Sequence, residues 1–307
     1  MLSGVTRVLA GLVIVLTLAA AAPPPDPAPP AATQAAAPDG TLGRIAATGI
    51  VNLGVRTDAK PFAYKLPDGQ PVGFAVDLCR DLVQDISAAL GGIALKIVYH
   101  PVTTETRIER VVDGTVDLEC GSTTRNEQRL RLVAFSPIFF ISGVKLLVPN
   151  GSPIRSYRDL SGRTVALTAG TTGETTMRIL ADRMLIRMSF VTLPDNEASF
   201  AALRQGKVDA FATDAILLAG LAASPGGHGF QVVGDYLSYE PYGLMFQRDD
   251  PAFAAVIDQG FRRLARQHTL AAIYRRWMMQ PLPSGDILDV PMSAELTQLY
   301  RDLGQAD

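Results

Sequence analysis

Residues 117–135, DLECGSTTRNEQRLRLVAF, are the stretch that decides both the fold and the candidate site. An apolar strand end runs into the small and hydroxyl residues of 121–124, and Arg129 follows roughly one helical turn later. Hydroxyl groups, backbone N–H groups freed by a turn and a planar guanidinium together favour a carboxylate ligand. The stretch alone leaves a second interpretation open, in which its Ser and Thr residues only cap a helix.

The residues that precede this stretch alternate between strand and helix patterns. The predicted elements are a strand at 50–55, a helix at 75–90, a strand at 93–99, a helix at 104–112 and a strand at 116–120. Such an α/β series predicts a mainly parallel sheet with helices on both faces. Ligands of these sheets bind beyond the carboxyl ends of the strands, where 121–124 and Arg56 lie.

The residues that follow repeat the pattern after one long apolar strand, predicted at 138–148. The second series has strands at 164–167, 189–193 and 208–212, with helices at 175–181, 197–204 and 216–222. Its run SFAALRQGKVDAFATDAI echoes RIERVVDGTVDLECGSTT of the first series. The chain becomes strand-like again at 230–246, and helices at 251–267 and 269–279 precede a Pro-rich tail. We therefore predict two α/β lobes joined by a two-strand hinge, although any two α/β units share some of this likeness.

The N-terminus is typical of an exported protein. Arg7, a short apolar run and a small-residue cleavage site predict a signal peptide over 1–22, with an uncleaved anchor as the alternative. Residues 23–40 are rich in Pro and Ala and predict an extended linker, so that folded sequence begins near Thr41. The predicted lobes are 41–148 together with 238–307, and 149–237.

Composition limits the class of protein. Of the 307 residues, 48% are apolar, which supports a large core in one or two domains. The formal net charge of −2 argues against a nucleic-acid partner. Because the chain has no CxxC motif and no metal-ligand spacing, we expect neither a metal nor a cofactor.

The two cysteines, Cys79 and Cys120, leave two states open. A disulfide is possible in an exported protein. Cys79 falls in a predicted helix and Cys120 at a predicted strand end, and apolar residues flank both. These flanks favour two buried free thiols, which is the state we expect.

Polar groups from both series gather at predicted strand ends and helix starts. The first series offers Arg56, Arg107, Ser122, Thr123, Thr124 and Arg129, and the second offers Thr171, Thr172 and Asp214. A helix N-terminus with small residues accepts an anion, and Asp214 is placed to bind an ammonium. Three arginines with one acid predict a ligand with two negative groups and one positive group, as in an acidic amino acid. Structural alternatives remain, since Arg107 could pair with Glu105 or Glu109 and Asp214 could cap a helix.

Seven motifs extend this argument over residues 42–283. They are GVRTDAKPFAY, GQPVGFAVDLC, DGTVDLECGSTTRNEQR, FSPIFF, LTAGTTGE, SFAALRQGKVDAFATDAILLAG and EPYGLMFQRDDPAF. Together they resemble the periplasmic solute-binding proteins of amino-acid ABC transporters, above all the glutamate/aspartate-binding members. The resemblance implies the periplasmic-binding-protein type II fold, in which two lobes close on a ligand about a hinge.

The resemblance also implies roles for the site residues. It assigns the ligand's α-carboxylate to Arg129 with the hydroxyl residues Ser122, Thr124, Thr171 and Thr172. It assigns the α-amino group to Asp214 and the side-chain carboxylate to Arg56 and Arg107. Thr104 and Asn196 stand where acidic-ligand members of the family have Ser and His, which leaves glutamate and aspartate as alternatives.

The expected function is that of a monomeric, non-enzymatic receptor in the periplasm. It binds L-glutamate or L-aspartate and delivers it to an ABC transporter permease. One alternative is an enzyme on the same fold, similar to exported dehydratases, for which Glu119 and Glu174 are the candidate general acids at the cleft edge. The other alternative is a sensory module that presents its ligand-binding lobes to a membrane partner.

Overall fold

The computed structural model describes residues 1–3 and 40–306. The predicted signal peptide and linker, 1–22 and 23–40, lie outside the described residues apart from 1–3 and Gly40. Among the described helices, none is both long enough and apolar enough to cross a membrane.

The helices and strands follow the predicted alternation. The helices of the described chain are α1 (Gly40–Thr48), α2 (Phe74–Ala89), α3 (Arg107–Val112), α4 (Glu127–Leu130), α5 (Thr172–Met184), α6 (Asn196–Arg204), α7 (Ala215–Ala222), α8 (Pro251–Arg266), α9 (Thr269–Tyr274) and α10 (Ala294–Asp302). The strands are β1 (Ile50–Val55), β2 (Asp58–Ala59), β3 (Ala63–Lys65), β4 (Pro71–Val72), β5 (Lys96–Pro101), β6 (Leu118–Cys120), β7 (Val133–Phe135), β8 (Phe140–Ser142), β9 (Val144–Pro149), β10 (Thr164–Thr168), β11 (Ser189–Leu193), β12 (Ala210–Asp214), β13 (Phe230–Val233), β14 (Glu240–Tyr242) and β15 (Met245–Gln247).

The first sheet has five strands in the order β5-β1-β6-β15-β7. Strand β1 pairs in parallel with β5 and β6, and β15 runs antiparallel to β6 and β7. Val51, Leu53 and Val55 of β1 share one buried core with Leu78 of α2 and Phe253 of α8. Because side chains alternate along a strand, these three residues all lie on the same face of the sheet.

The second sheet has five strands in the order β11-β10-β12-β9-β13. Strand β10 pairs in parallel with β11 and β12, while β9 runs antiparallel to β12 and β13. Val165 and Leu167 of β10 pack with Met177 of α5, and Ala166 between them packs with Phe200 of α6. Helices therefore cover both faces, and the predicted α/β fold with two lobes is confirmed.

Two short strands connect the sheets and form the hinge. Strands β8 and β14 pair antiparallel, with Ser142 opposite Glu240 and Phe140 opposite Tyr242. The continuous strand predicted over 138–148 is wrong, because the chain breaks at Gly143 into β8 and β9. A Cβ at this glycine would lie 2.3 Å from the carbonyl oxygen of Ser238, so the close approach of the segment just before β14 requires glycine there.

The lobe limits stay a prediction. Strand β9 pairs with β12 and β13 of the second sheet, so the limit predicted between 148 and 149 is better placed at residue 143. The sequence placed this limit too late because a hydrophobic pattern identifies an apolar strand but does not show which sheet the strand joins.

Helices α1 and α10 are absent from the elements predicted by sequence. Ser293 caps α10 by accepting a hydrogen bond from the backbone N–H of Leu296 at 3.1 Å. Tyr300 of α10 is fully buried and donates its hydroxyl proton to the carbonyl oxygen of Phe139 at 2.8 Å. The prediction of a Pro-rich tail missed a local signal, because Ser293 followed by apolar residues at 296, 299, 300 and 303 has the spacing of a capped helix.

The expectation of two free thiols is wrong, because Cys79 and Cys120 form a disulfide. Helix α2 packs against β6 and brings the two Cα atoms to 6.2 Å, within the range that a disulfide spans. Both sulfurs are buried, as the apolar flanks predicted. The pairing depends on where the helix crosses the strand, and the flanking residues do not carry that information.

Candidate ligand-binding site

A small polar cavity lies between the carboxyl ends of the strands of the two sheets. It is lined by Arg56, Thr104, Arg107, Ser122, Thr124, Thr171, Thr172, Asn196, Thr213, Asp214 and Leu217. Every predicted site residue except Thr123 and Arg129 is in this lining. The fold thus brings together groups that lie as far apart in sequence as Arg56 and Asp214.

Thr123 and Arg129 lie beside the cavity. Thr123 is fully buried; its hydroxyl accepts a hydrogen bond from Arg107 Nη1 at 2.7 Å and donates to Glu119 Oε2 at 2.9 Å. Arg129 is buried too and donates from Nη1 to the carbonyl oxygen of Thr124 at 2.8 Å. It lines an adjoining groove together with Thr171, which also lines the cavity.

Arg107 begins α3 and offers the cavity an unpaired donor. Burial, with the neighbouring charge of Arg129, lowers the pKa of Arg107 to about 9, and Glu119 opposes this effect. Its Nε, like the hydroxyl of Thr104, is buried without a hydrogen-bond partner. A buried donor left unsatisfied is costly, so this part of the wall is suited to an acceptor group on a ligand. Neither Glu105 nor Glu109 pairs with Arg107 among the described ion pairs.

Arg56 has a counter-ion that sequence reasoning missed. Its Nε and Nη2 donate to the carboxylate of Asp58, with an Nη2–Oδ1 distance of 2.6 Å. Asp58 Oδ2 also accepts from the backbone N–H of Asn196 at 2.9 Å, which crosses from the first lobe to the second. The sequence carried a signal for this ion pair, because opposite charges two residues apart on an extended segment lie on the same side of the chain.

Helix α5 begins at the cavity and earlier than predicted. The helix starts at Thr172 instead of residue 175, and the Thr171 hydroxyl caps it by accepting from the backbone N–H of Glu174 at 3.1 Å. Because Thr171 and Thr172 line the cavity, the positive end of the helix dipole lies at its wall. Such a helix N-terminus is suited to an anionic group.

Asp214 is the carboxylate of the cavity wall. Burial and the nearby charge of Glu240 raise its pKa to about 7, although a hydrogen bond from the Tyr242 hydroxyl opposes this shift. Asp214 occupies the cap position of α7 but makes no side-chain capping bond. The Asp214 side chain therefore does not cap α7. A cationic ligand group would offset the cost of burying its carboxylate.

Two further buried carboxylates were not predicted as parts of the binding site. Glu240 of the hinge accepts hydrogen bonds from Thr124 and Thr172 at 2.6 and 2.7 Å. Glu119 lies behind Arg107 through Thr123, and burial raises its pKa. Glu240 had a usable signal, since it is an acid inside the stretch predicted as strand-like at 230–246, close to the predicted lobe limit at 237.

Two α/β lobes with mixed parallel and antiparallel sheets, joined by a two-strand hinge and enclosing a polar cavity, define a ligand-binding protein of the periplasmic type II class. Residues 51–280 match the bacterial extracellular solute-binding proteins, family 3. The chain belongs to this family, which confirms the resemblance inferred from its motifs.

Individual relatives agree with this assignment. An L-glutamate/L-aspartate-binding protein of Pseudomonas aeruginosa is 37% identical over 263 residues, which are 85% of this chain and 87% of the relative. A glutamate/aspartate import solute-binding protein of Escherichia coli K12 is 30% identical over 270 residues, 87% of this chain and 89% of the relative. Among solved structures, an ancestral amino-acid-binding protein described as a precursor of cyclohexadienyl dehydratase matches with a TM-score of 0.68 and 26% identity, over 78% of this chain and 99% of that one.

Proposed function

We propose that this protein captures an acidic amino acid, L-glutamate or L-aspartate, between its lobes and delivers it to an ABC transporter permease. The observation that carries the proposal is one cavity that combines the guanidinium groups of Arg56 and Arg107 with the single acidic side chain of its lining, Asp214. An amino acid with a second carboxylate matches both kinds of group. The names of the two relatives, both glutamate/aspartate-binding proteins, support this choice.

The unpaired groups suggest where each part of the ligand lies. The side-chain carboxylate is placed against Arg56, Arg107 and Thr104, since the last two have buried donors without partners. The ammonium is placed against Asp214, because burial and Glu240 raise the pKa of this carboxyl more than Arg129 and Arg107 lower it. The α-carboxylate is left to Arg129 and the N-terminus of α5.

A binding role fits this cavity better than catalysis. Neither Glu119 nor Glu174, the two candidate general acids, is in the cavity lining. Glu119 is enclosed behind Thr123, and Glu174, which lines the adjoining groove, pairs with Arg178 at 2.8 Å. We therefore propose a non-enzymatic, monomeric receptor that is exported to the periplasm by its N-terminal segment.

Thermal melts of ligand-freed protein against a panel of amino acids test the proposal. A ligand at a hundred times its Kd stabilises by about 2.7 kcal/mol. We expect glutamate or aspartate to raise the Tm, and glutamine, histidine and lysine to leave it unchanged. A shift only with neutral or basic amino acids would reject the acidic ligand, and incubation with prephenate or arogenate tests the dehydratase alternative directly.

A further inference from the structure

Glu240 is a buried carboxylate whose hydrogen bonds come from hydroxyl groups. It begins β14 in the hinge and is 2% exposed. Its Oε1 accepts from the Ser238 hydroxyl at 2.6 Å. Its Oε2 accepts from the hydroxyls of Thr124 at 2.6 Å and Thr172 at 2.7 Å.

The two hydroxyls on Oε2 come from opposite sides of the cavity. Thr124 follows β6 of the first sheet, and Thr172 begins α5, which packs on the second sheet. Their oxygens lie 3.4 Å apart, so one carboxylate oxygen holds both sides together. When two lobes separate about a hinge, groups on opposite lobes move apart and cannot both keep bonds to one atom. This pair of bonds belongs to the closed arrangement.

The same bonds set the polarity of the cavity wall. A hydroxyl has one proton to donate, and an ionised carboxylate can only accept. Thr124 and Thr172 therefore give their protons to Glu240 and present only lone pairs to the cavity that they line. With the Asp214 carboxylate, these two hydroxyl oxygens form a set of acceptors that suits an ammonium group.

We propose that Glu240 is a positioning residue that joins the two lobes in the closed state and orients Thr124 and Thr172 as acceptors for the ligand's ammonium group. The closure part stands on the geometry alone, and the ammonium part rests on the proposed function. The inference also revises the role that the resemblance implied for these two threonines. They contribute to the α-carboxylate only through the backbone and the helix end, because their hydroxyl protons are already donated.

The closure part is tested without ligand. Spin labels on cysteines introduced at Val112 and Met184, which are exposed on α3 and α5, report the distance between the lobes by double electron–electron resonance. We expect Glu240→Gln to shift the distance distribution toward the open state. The control Ser238→Ala removes the donor to Oε1, leaves both bonds to Oε2 in place and should keep the wild-type distribution. An unchanged distribution in Glu240→Gln would overturn the closure role.

The ammonium part is tested by calorimetry with glutamate and with glutarate, which has no amino group. We expect Glu240→Gln to weaken the binding of glutamate by about tenfold or more, which corresponds to the loss of one charge-assisted hydrogen bond. The binding of glutarate should weaken much less. Equal losses for both would refute the assigned polarity. Thr172→Val is a second variant that should repeat the pattern if Glu240→Gln folds poorly. Failure of the wild type to bind any acidic amino acid would reject the proposed function, while the distance measurement would still decide the role of Glu240.

Discussion

Arg56 and Asp58, two residues apart, form a buried ion pair in the wall of the cavity, with Arg56 Nη2 2.6 Å from Asp58 Oδ1. Both side chains are more than nine-tenths buried. Asp58 also accepts a hydrogen bond from the backbone of Asn196 across the cleft. This ion pair fixes the position of the Arg56 guanidinium at the cavity, and the bond to Asn196 makes Asp58 part of the contact between the lobes.

Replacement of Asp58 should therefore destabilise the ligand-free protein. Asp58→Ala leaves Arg56 as an uncompensated buried charge, which typically costs about 3–5 kcal/mol. We expect a lowered Tm without ligand and a larger rise on addition of the acidic amino acid, whose carboxylate takes the vacated place. Asp258→Ala is the control, since it removes a half-exposed pair with Arg262 on the surface of α8 and should change stability by less than about 1 kcal/mol. Equal effects of the two variants would contradict the role of Asp58.

Removal of the Arg107 guanidinium should discriminate between ligands. Arg107→Met should weaken the binding of glutamate by about ten- to a hundredfold, because this is the usual effect of losing a hydrogen bond between charged groups. Glutamine should lose much less, because its amide carries no charge. Calorimetric titration of both ligands measures the ratio, with Arg110→Met on the exposed face of α3 as the control. A similar loss for both ligands would refute contact between Arg107 and the side-chain carboxylate.

Ligand affinity should fall as the pH is lowered through 7. The pKa of Asp214 is about 7, raised by burial and Glu240 against the lowering effects of Tyr242, Arg129 and Arg107. An ammonium binds the ionised form, so ligand binding releases a proton and affinity should fall by about tenfold per pH unit well below 7. Calorimetry in buffers of different ionisation enthalpy measures this release. A pH-independent Kd between pH 5 and 8 would exclude Asp214 as the ammonium site.

The same group should make the ligand-free protein more stable in mild acid. Because the folded-state pKa of Asp214 lies above the ordinary value of 3.8, the folded protein binds a proton that the unfolded chain does not hold between pH 3.8 and about 7. The contribution to the free energy of unfolding therefore grows as the pH falls through this window. Asp214→Asn should remove that contribution and raise the Tm at pH 8, and urea unfolding at several pH values compares the two proteins.

The Cys79–Cys120 disulfide should contribute measurably to stability. It closes a loop with a sequence separation of 41 residues, and disulfides of such loops typically stabilise by about 2–4 kcal/mol. We expect Cys79→Ser/Cys120→Ser to lower the Tm with little change in Kd, because neither sulfur lines the cavity. Thiol titration of unreduced, denatured protein checks the bond, and two free thiols per chain would disprove it.

Much of the architecture was readable from local pattern. Strand β1 at Ile50–Val55 and strand β11 at Ser189–Leu193 were predicted to the residue. Polar residues just past strand ends were expected in a cleft, and nearly all of them line the cavity. Both successes use information carried within a few residues, since hydrophobic period and turn chemistry do not depend on distant contacts.

Sequence alone determined the α/β class and the two lobes, because alternating buried strands and helices dictate which strand ends gather at a cleft, and its motifs indicated the family. It also predicted polar groups at those strand ends, most of which line the cavity. Tertiary structure decided which of these groups are already paired. The pairs Tyr242 with Asp214, Glu240 with Thr124 and Thr172, and Cys79 with Cys120 each depend on the crossing of elements or the closure of the lobes. Whether two such side chains pair depends on the distance between their atoms and on their burial. Only the packed chain determines these two quantities.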